Sequence, residues 1–423
     1  MTLYLGLGSN EGDRKTNLGH AIHRLESEGF RIARISPVVE TPALLPDGAD
    51  PEWNQPYLNC VVSGDAGWTP AEGLNRVKSI EAAMGRQPGK RWSPRIMDID
   101  ILLWHDQTIH TEDLVIPHDG ILERPFVLTP LLHLQPDLII PGQQKTIFQL
   151  SENRASVPLW MGVLNLTPDS FSDGGKWTDP EALEQHLESM VRENVQILDI
   201  GAESTRPRAS QIDSQEEWGR LWPVLERIQE QLGNHPVRPM ISLDSRHADT
   251  IEKSFRYGVN MVNDVSGLTS PEIISVVRNA KCDVVAMHSV SVPADPRKLL
   301  PVDRGAVMQI TDWLDREIER WLSLGLDLNR IIVDPGIGFG KTALQSMELL
   351  QHCQVLRSRG LRLLIGHSRK SFMNSFSTSM FSDRDLETLG VSLSLCQQGV
   401  DILRVHDPVM HVRAYRAWSH IAS

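Results

Sequence analysis

Eight times between residues 158 and 423, a short apolar run ends on a polar side chain and gives way to a helical pattern. The runs are LWMGVLN, QILDIGA, PMISLD, MVNDV, DVVAMH, RIIVDP, RLLIGHS and ILRVH. Apolar runs bounded in this way read as strands, and eight strand-plus-helix units are what a (β/α)8 TIM barrel requires. Two helix starts are marked: Asp179 with Pro180 reads as an N-cap followed by proline at the first helical position, and Ser214 with Glu217 as a capping box. The catalytic face of such a barrel lies at the C-terminal ends of its strands. Here those ends carry Asn165, Glu203, Asp244, Asn263, His288, Asp334, Ser368 with Lys370, and Arg404 with His406. Any one of them alone is better explained as a cap or turn residue, but eight at one topological level point to a site.

The earlier part of the chain follows a different rule. TLYLGLG, RIARISPVVET, YLNCVVSGD and RIMDIDILLW are strand-like. Leu18, Ala21, Ile22 and Leu25, and later Ala71, Leu74, Val77, Lys78 and Ala82, recur at helical spacing. The order β-α-β-β-α-β predicts a ferredoxin-like α+β domain over residues 1–150. ALLPDGADPEWNQP, dense in Pro, Asp and Gly, is a long loop expected to be mobile until a ligand binds. SENRASVP is polar and ends in proline, which predicts a linker at 151–157 and a barrel domain at 158–423.

Composition narrows the partners. With 40% hydrophobic and 23% charged residues and a formal charge of -12, the chain reads as globular and repels polyanions overall. Small molecules are the expected partners, with no nucleic acid and no membrane. Cys60, Cys282, Cys353 and Cys396 are far apart, without a CxxC pair or a His/Cys cluster. That pattern fits a reduced, cytoplasmic protein better than a disulfide scaffold or a zinc site. MTLYLGLGSNEGDRK lacks basic residues ahead of its apolar run, and no apolar stretch is long enough to cross a bilayer, so neither export nor insertion is expected.

In RWSPRIMDIDILLW, residues 91–104, strand geometry puts Asp98 and Asp100 on one face while Met97, Ile99 and Ile101 pack behind. Two adjacent carboxylates are either solvated edge-strand acids or the ligands of a cation. Arg86, Arg91, Arg95, His118 and Arg124 supply the positive charge a polyphosphate needs, with the acids holding Mg2+ against it. GLGSNEGDR, PYLN at 56–59, RWSPRIMDIDILL and VIPHDGILERPFVL together resemble 6-hydroxymethyl-7,8-dihydropterin pyrophosphokinase across residues 1–150. The resemblance implies ATP as co-substrate, two Mg2+ ions on Asp98 and Asp100, and catalytic roles for these acids and Arg95. It implies phosphate or nucleotide contacts from Arg86, Arg95, His118 and Arg124, with Trp92 on the same side. Tyr57 and Phe126 would sandwich the pterin and Asn59 would read its edge, with Glu81 and Pro46 in or near the pocket. Without the motifs, Tyr57 and Phe126 read as ordinary core aromatics and GLG as a tight turn. The sequence departs from the family at Ser93, usually glycine, and in GRQPGKRWSPR, where proline stands near a frequent arginine; both bear on loop closure.

MGVLNLTPDSFSDGG, LDIGAESTRP, ISLDS, VNDVSG, VDPGIGFGK, GHSRKS and RVHD resemble dihydropteroate synthase over residues 157–423. That family condenses pterin diphosphate with 4-aminobenzoate, so its substrate is the first family's product. The two resemblances together imply consecutive steps of folate synthesis in one chain. The second implies Asp244, Asn263 and Asp334 on the pterin edge, Lys370 beside it and Met287 on the ring, with Lys370 and Arg404 catalytic. It implies Asn165, Arg404 and His406 around diphosphate and its Mg2+. Thr205, Arg206, Pro207, Phe339 and Ser371 would shape the aminobenzoate pocket, and Asp199 would belong to the same polar floor. It also carries over a homodimer formed through the barrel. The polar loop after Asn165 is expected to fold over diphosphate and shield the reactive cation from water. PGIGFGKT nearly spells a phosphate-binding loop, but Pro335 takes its first glycine position, so it reads as a tight turn beside the pterin site. Ala202, Arg208 and MHSVSVPAD depart from the family and bear on the second loop and on synthase activity. The rivals are a methyltransferase-type pterin barrel and a degenerate regulatory barrel. SRKS, RVHD and TPDSFSDGG favour diphosphate chemistry over the first, and retention of Asn165, Asp244, Asp334, Lys370 and Arg404 opposes the second.

Overall fold

The structure, a computed structural model, describes residues 2–86, 92–152, 154, 156–167, 179–204, 211–233, 237–295, 297–380 and 383–422. The chain divides into two compact units, one mainly Met1–Val157 and the other mainly Pro158–Asn234 with Arg238–Tyr415.

In the first unit, strands Leu3–Ser9 (β1), Arg31–Ile35 (β2), Val39–Thr41 (β3), Tyr57–Asp65 (β4) and Asp98–Trp104 (β5) form one sheet. Its order is β2-β4-β1-β5, with β3 also on β4 and every pairing antiparallel. Helices Arg14–Ser27 (α1) and Pro70–Ala83 (α2) connect β1 to β2 and β4 to β5, which is the ferredoxin-like arrangement. As its spacing predicts, α1 buries Leu18, Ala21, Ile22 and Leu25, in one core with Leu3, Leu5 and Leu7 of β1. The other helix departs from expectation. α2 buries Gly73, Val77, Ile80 and Glu81, so Val77 alone is buried among the residues read as its apolar face. A Cβ on Gly73 would fall 2.5 Å from the Trp104 ring, so the missing side chain is what seats this helix on the indole. Helix Pro125–Leu134 (α3) buries Val127, Leu128, Leu131 and Leu132 in a second core with Tyr4, Val61 and Leu102. A short helix, Ile147–Ser151, reaches into the stretch read as the linker.

Strands Ile109–His110 (β6) and Val115–Ile116 (β7) make a small antiparallel ribbon. The second unit is a closed parallel barrel, built from Leu159–Asn165 (β8), Ile197–Gly201 (β9), Met240–Asp244 (β10), Met261–Asp264 (β11), Asp283–Met287 (β12), Ile331–Asp334 (β13), Arg362–Ile365 (β14) and Ile402–Val405 (β15). β15 pairs with β8 and closes the ring. Each strand coincides with one of the eight apolar runs, and a helix follows each. The Asp179 cap is present, its side chain accepting from Glu181 N–H ahead of Pro180. The Ser214–Glu217 capping box is not. Asp213 caps that helix by accepting from Glu216 N–H, while Glu217 turns inward, fully buried, and accepts from Ser245 Oγ at 2.8 Å. An aspartate one residue earlier supplies the same acceptor, which frees the glutamate for the interior. The four cysteines are buried and unpaired.

Candidate active sites

In the first unit the two acids stand as the strand period predicts. Met97, Ile99 and Ile101 lie in the core, and Asp98 and Asp100 alternate with them on the other face of β5. The neighbouring strand makes room for them. β1 places Gly8 opposite Asp98 and Gly6 opposite Asp100, and on its other edge Gly8 stands opposite Asn59 of β4. A Cβ on Gly8 would fall 2.7 Å from Asn59 Oδ1. The GLG run is therefore strand, and not turn, and its glycines clear the floor of the site.

Cations border the acids. Arg95 Nη1 donates to Asp98 Oδ1 at 2.8 Å, and Arg86 Nη1 lies 3.0 Å from the same oxygen. Arg86 also pairs with Glu81, which accepts the Ile99 N–H at 2.8 Å and so anchors the start of β5. Arg124 Nη1 is 3.7 Å from Asp100 Oδ2, and its guanidinium lies 5.8 Å from the Phe126 ring centroid. His118 Nδ1 accepts the Gly120 N–H at 3.0 Å, which fixes its ring. Burial raises the pKa of Asp100 and the charge of Asp98 raises it further, against the pull of His118, Arg124 and Arg95.

Tyr57, Asn59, Arg86, Trp92 and Arg95 line one cavity of about 560 Å³, and Asp98, Asp100, His118, Arg124 and Phe126 line the same cavity. Glu81 lines it as well, whereas Pro46 does not; Leu44 and Leu45, just before it, do. Arg91 lies outside the described residues. Sequence reasoning misses Asn10. Its Oδ1 accepts the Arg95 N–H at 2.7 Å, its own N–H donates to Arg95 O at 3.2 Å, and its amide donates to Gln55 O at 3.3 Å. These bonds tie the segment bearing Arg95 to the loop that precedes β4. The pair Asp98 and Asp100, hard oxygen donors on one face with glycine opposite each, fits a divalent cation such as Mg2+.

In the second unit the polar groups meet at the C-terminal mouth of the barrel. Arg404 of β15 is the hub: its Nε donates to Asp199 Oδ2 at 2.6 Å and its Nη2 to Asp244 Oδ2 at 2.9 Å. Asp199 also accepts from Ser242 Oγ at 2.6 Å and from Asn263 Nδ2 at 3.3 Å. Asp334 Oδ1 accepts the Gly336 N–H at 2.7 Å. A Cβ on Gly366 would lie within 4 Å of Asp334 Oδ2, Arg404 Cδ and Lys370 Nζ, so these three converge over that glycine. Lys370 Nζ donates to Ile337 O at 2.5 Å and lies 4.9 Å from the Phe339 ring centroid. His406 Nδ1 is 2.8 Å from Ser368 Oγ. Met287 is buried at the end of β12, Asn165 is half-buried at the end of β8, and Ser371 is exposed beyond β14.

Burial pushes Asp244 up to about 7, with Arg404 opposing and Asp199, Glu217 and Asp264 reinforcing the rise. Asp334 is raised by burial as well, and burial brings Lys370 down to about 8. Two strand-end residues serve the framework instead of the mouth. Glu203 is held by both Arg246 Nε and Nη2, at 2.7 and 2.8 Å, and His288 is engaged by Lys341. The tight-turn reading of PGIGFGKT holds: Gly336, Gly338 and Gly340 have positive φ, and Lys341 turns inward onto its own loop. Thr205, Arg206, Pro207 and Arg208, and most of the loop after Asn165, lie outside the described residues.

Residues 4–136 match the 7,8-dihydro-6-hydroxymethylpterin-pyrophosphokinase family and residues 161–406 the pterin binding enzyme family. A folate synthesis bifunctional protein of Chlamydia caviae is 36% identical over 99% of this chain and 98% of its own length. One from Arabidopsis thaliana is 34% identical over 97% and 94%. Among solved structures, the dihydropteroate synthase of Xanthomonas albilineans with 4-aminobenzoic acid aligns at a TM-score of 0.56 and 32% identity, covering 63% of this chain and 93% of that one. The Plasmodium falciparum HPPK-DHPS with pteroate aligns at 0.54 and 21% identity over 99% and 97%, a likeness of fold.

Proposed function

The chain belongs to the family of bifunctional folate synthesis proteins, and on that premise we propose which of its residues carry each of the two reactions. It is a hydroxymethyl-dihydropterin diphosphokinase joined to a dihydropteroate synthase. It transfers diphosphate from ATP to 6-hydroxymethyl-7,8-dihydropterin, then condenses the pterin diphosphate with 4-aminobenzoate. In the first half we assign Mg2+ to Asp98 and Asp100; bound there, the ions would neutralise the phosphate charge that develops in transfer. Arg86, Arg95, His118, Arg124 and Trp92 bind the nucleotide, with Arg95 closest to the acids. Tyr57 and Phe126 take the two faces of the pterin, and Asn59 reads its edge. The observation that carries this assignment is the convergence of these ten side chains on one cavity.

In the barrel, Asp244, Asn263 and Asp334 hold the pterin edge, Met287 packs on the ring, and Lys370 stands beside Asp334. Carboxylates near the pterin stabilise the cationic character left when diphosphate departs, and cations near the phosphates stabilise the leaving group. Arg404 commits Nε and Nη2 to Asp199 and Asp244, and we assign its Nη1, with Asn165, His406 and an accompanying Mg2+, to diphosphate. Phe339 and Ser371, with Thr205 and Arg206, form the aminobenzoate pocket. We further assign the protein to the cytoplasm, and a homodimer to the barrel, where Leu344, Phe376, Met380 and Leu386 are exposed. Among the described residues no helix is long and apolar enough to cross a membrane.

One assay tests the residue assignment. With ATP, Mg2+, hydroxymethyl-dihydropterin and 4-aminobenzoate, the parent makes dihydropteroate, whereas Asp100→Ala makes none until pterin diphosphate is supplied directly. Failure of the supplied intermediate to rescue it would mean that the two reactions do not use separate sites.

A further inference from the structure

Three left-handed glycines shape residues 335–341, PGIGFGK: Gly336, Gly338 and Gly340 have φ of 68°, 81° and 69°. A Cβ on Gly336 would fall 2.0 Å from His288 O, and one on Gly340 would fall 2.4 Å from Val290 Cβ. The backbone is therefore pressed against the end of β12 and the residues that follow it. A segment this rich in glycine gives up much conformational freedom on ordering, so its geometry needs specific ties. Two lysines supply them. Lys370 Nζ donates to Ile337 O at 2.5 Å. Lys341 Nζ folds back to donate to Phe339 O at 3.0 Å and His288 O at 3.3 Å, and it meets His288 Nδ1 at 3.0 Å.

Lys341 Nζ lies within hydrogen-bonding distance of Phe339 O, His288 O and His288 Nδ1 while the residue is only 6% exposed, so its N–H groups are directed into the protein. Burial brings its pKa down to about 7 against the pull of Asp334. His288 meets Lys341 through Nδ1. Burial and the neighbouring Lys341 push its pKa down to about 3, which keeps it neutral, and its edge rests on Trp313 with ring centroids 5.0 Å apart. Phe339 sits between the two ties. Lys341 grips its carbonyl, and Lys370 lies 4.9 Å from its ring centroid.

From this geometry we infer that Lys341 is a positioning residue for the condensation: by clasping Phe339 O to His288 O it sets the Phe339 ring and so shapes the aminobenzoate pocket. The inference rests on the assignment of Phe339 to that pocket. It gives the phosphate-loop-like GFGK run a purpose unrelated to phosphate, because its lysine points into the protein.

Lys341→Met keeps the aliphatic stem and removes the donors. Its KM for 4-aminobenzoate should rise about tenfold, several times more than the Kd for pterin diphosphate, which feels Lys341 only through the charge of Asp334, while the kinase rate of the same chain stays within about twofold. Lys341→Gln, which retains N–H donors, should recover part of the loss, and it stands in should the methionine variant fail to fold. Because the effect runs through Phe339, Lys341→Met should add little to Phe339→Leu in a double-mutant cycle. Full additivity, an unchanged aminobenzoate KM in both lysine variants, or an equal loss of pterin diphosphate affinity would each overturn the inference. If Phe339→Leu itself leaves the aminobenzoate KM unchanged, the pocket assignment falls and the inference with it. If Phe339→Leu raises it and the lysine variants do not, the inference falls alone.

Discussion

Arg404 Nε and Asp199 Oδ2 meet at 2.6 Å across the mouth of the barrel, linking β15 to β9 past the strand between them. The aspartate is fully buried, and the same guanidinium also reaches Asp244 Oδ2 at 2.9 Å. One cation thus serves two acids from different strands. Removing the Asp199 carboxylate takes the acceptor from Arg404 Nε and from the buried Ser242 and Asn263 at once, so Asp199→Ala should destabilise the barrel by about 3 kcal/mol. Denaturant unfolding of the barrel measures it, and the kinase rate in buffer should be unaffected. A loss below about 1 kcal/mol would place this pair among solvent-screened contacts.

Stability should depend on pH through Asp244. Burial, opposed by Arg404, lifts its folded pKa to about 7, whereas an unfolded aspartate titrates at about 4. The folded state therefore binds this proton more tightly than the unfolded one. The resulting contribution is complete below about pH 4, declines between about 4 and 7, and is absent above. Relative to Asp244→Asn, the parent barrel should lose stability as pH rises from 5 to about 8. Parallel curves for the two proteins across that window would show that Asp244 ionises normally.

Asp100 should show function and stability pulling in opposite directions. Its pKa is raised by burial and by Asp98, so at neutral pH the two acids strain the fold. Asp100→Asn should raise the thermal midpoint of the first unit while abolishing diphosphoryl transfer, because a metal ligand is lost. Calorimetry and a coupled AMP assay read both. A variant that transfers diphosphate at the parent rate would remove Asp100 from the metal site.

The legible features share a physical cause: their signal is local. Eight barrel strands show as apolar runs because most of their residues are buried on both faces of the barrel wall, and Asp98 and Asp100 show as a pair because a strand repeats every two residues. What escaped reading depends on partners distant in sequence. The buried stripe of α2 is set by Gly73 lying on Trp104. Asn10 matters through Arg95 and Gln55, and Lys341 through His288, none of which periodicity can report. The misplaced cap is a local error, since Asp213 and Ser214 are both good caps and the interior place of Glu217 decided between them.

Gly8 provides the sharpest test of how the first site is shaped. It lies in regular strand between Asp98 and Asn59, so alanine meets no backbone strain there. The added Cβ would nevertheless stand 2.7 Å from Asn59 Oδ1, closer than nonbonded atoms approach, and 3.4 Å from Tyr57 Cδ1. The asparagine has to give way, which disturbs its bond from Nδ2 to Thr41 Oγ1 at 3.3 Å and turns its amide from the cavity. Gly6→Ala differs, because its Cβ would meet Leu102 at 3.4 Å, an accommodating contact. Gly8→Ala should therefore fold and raise the KM for hydroxymethyl-dihydropterin by roughly tenfold or more, the scale of a misplaced polar contact, with the ATP KM and the synthase rate little changed. Gly6→Ala should alter the pterin KM far less. Equal effects from the two alanines, or a Gly8→Ala loss that falls on ATP instead of pterin, would mean that Asn59 does not read the pterin edge.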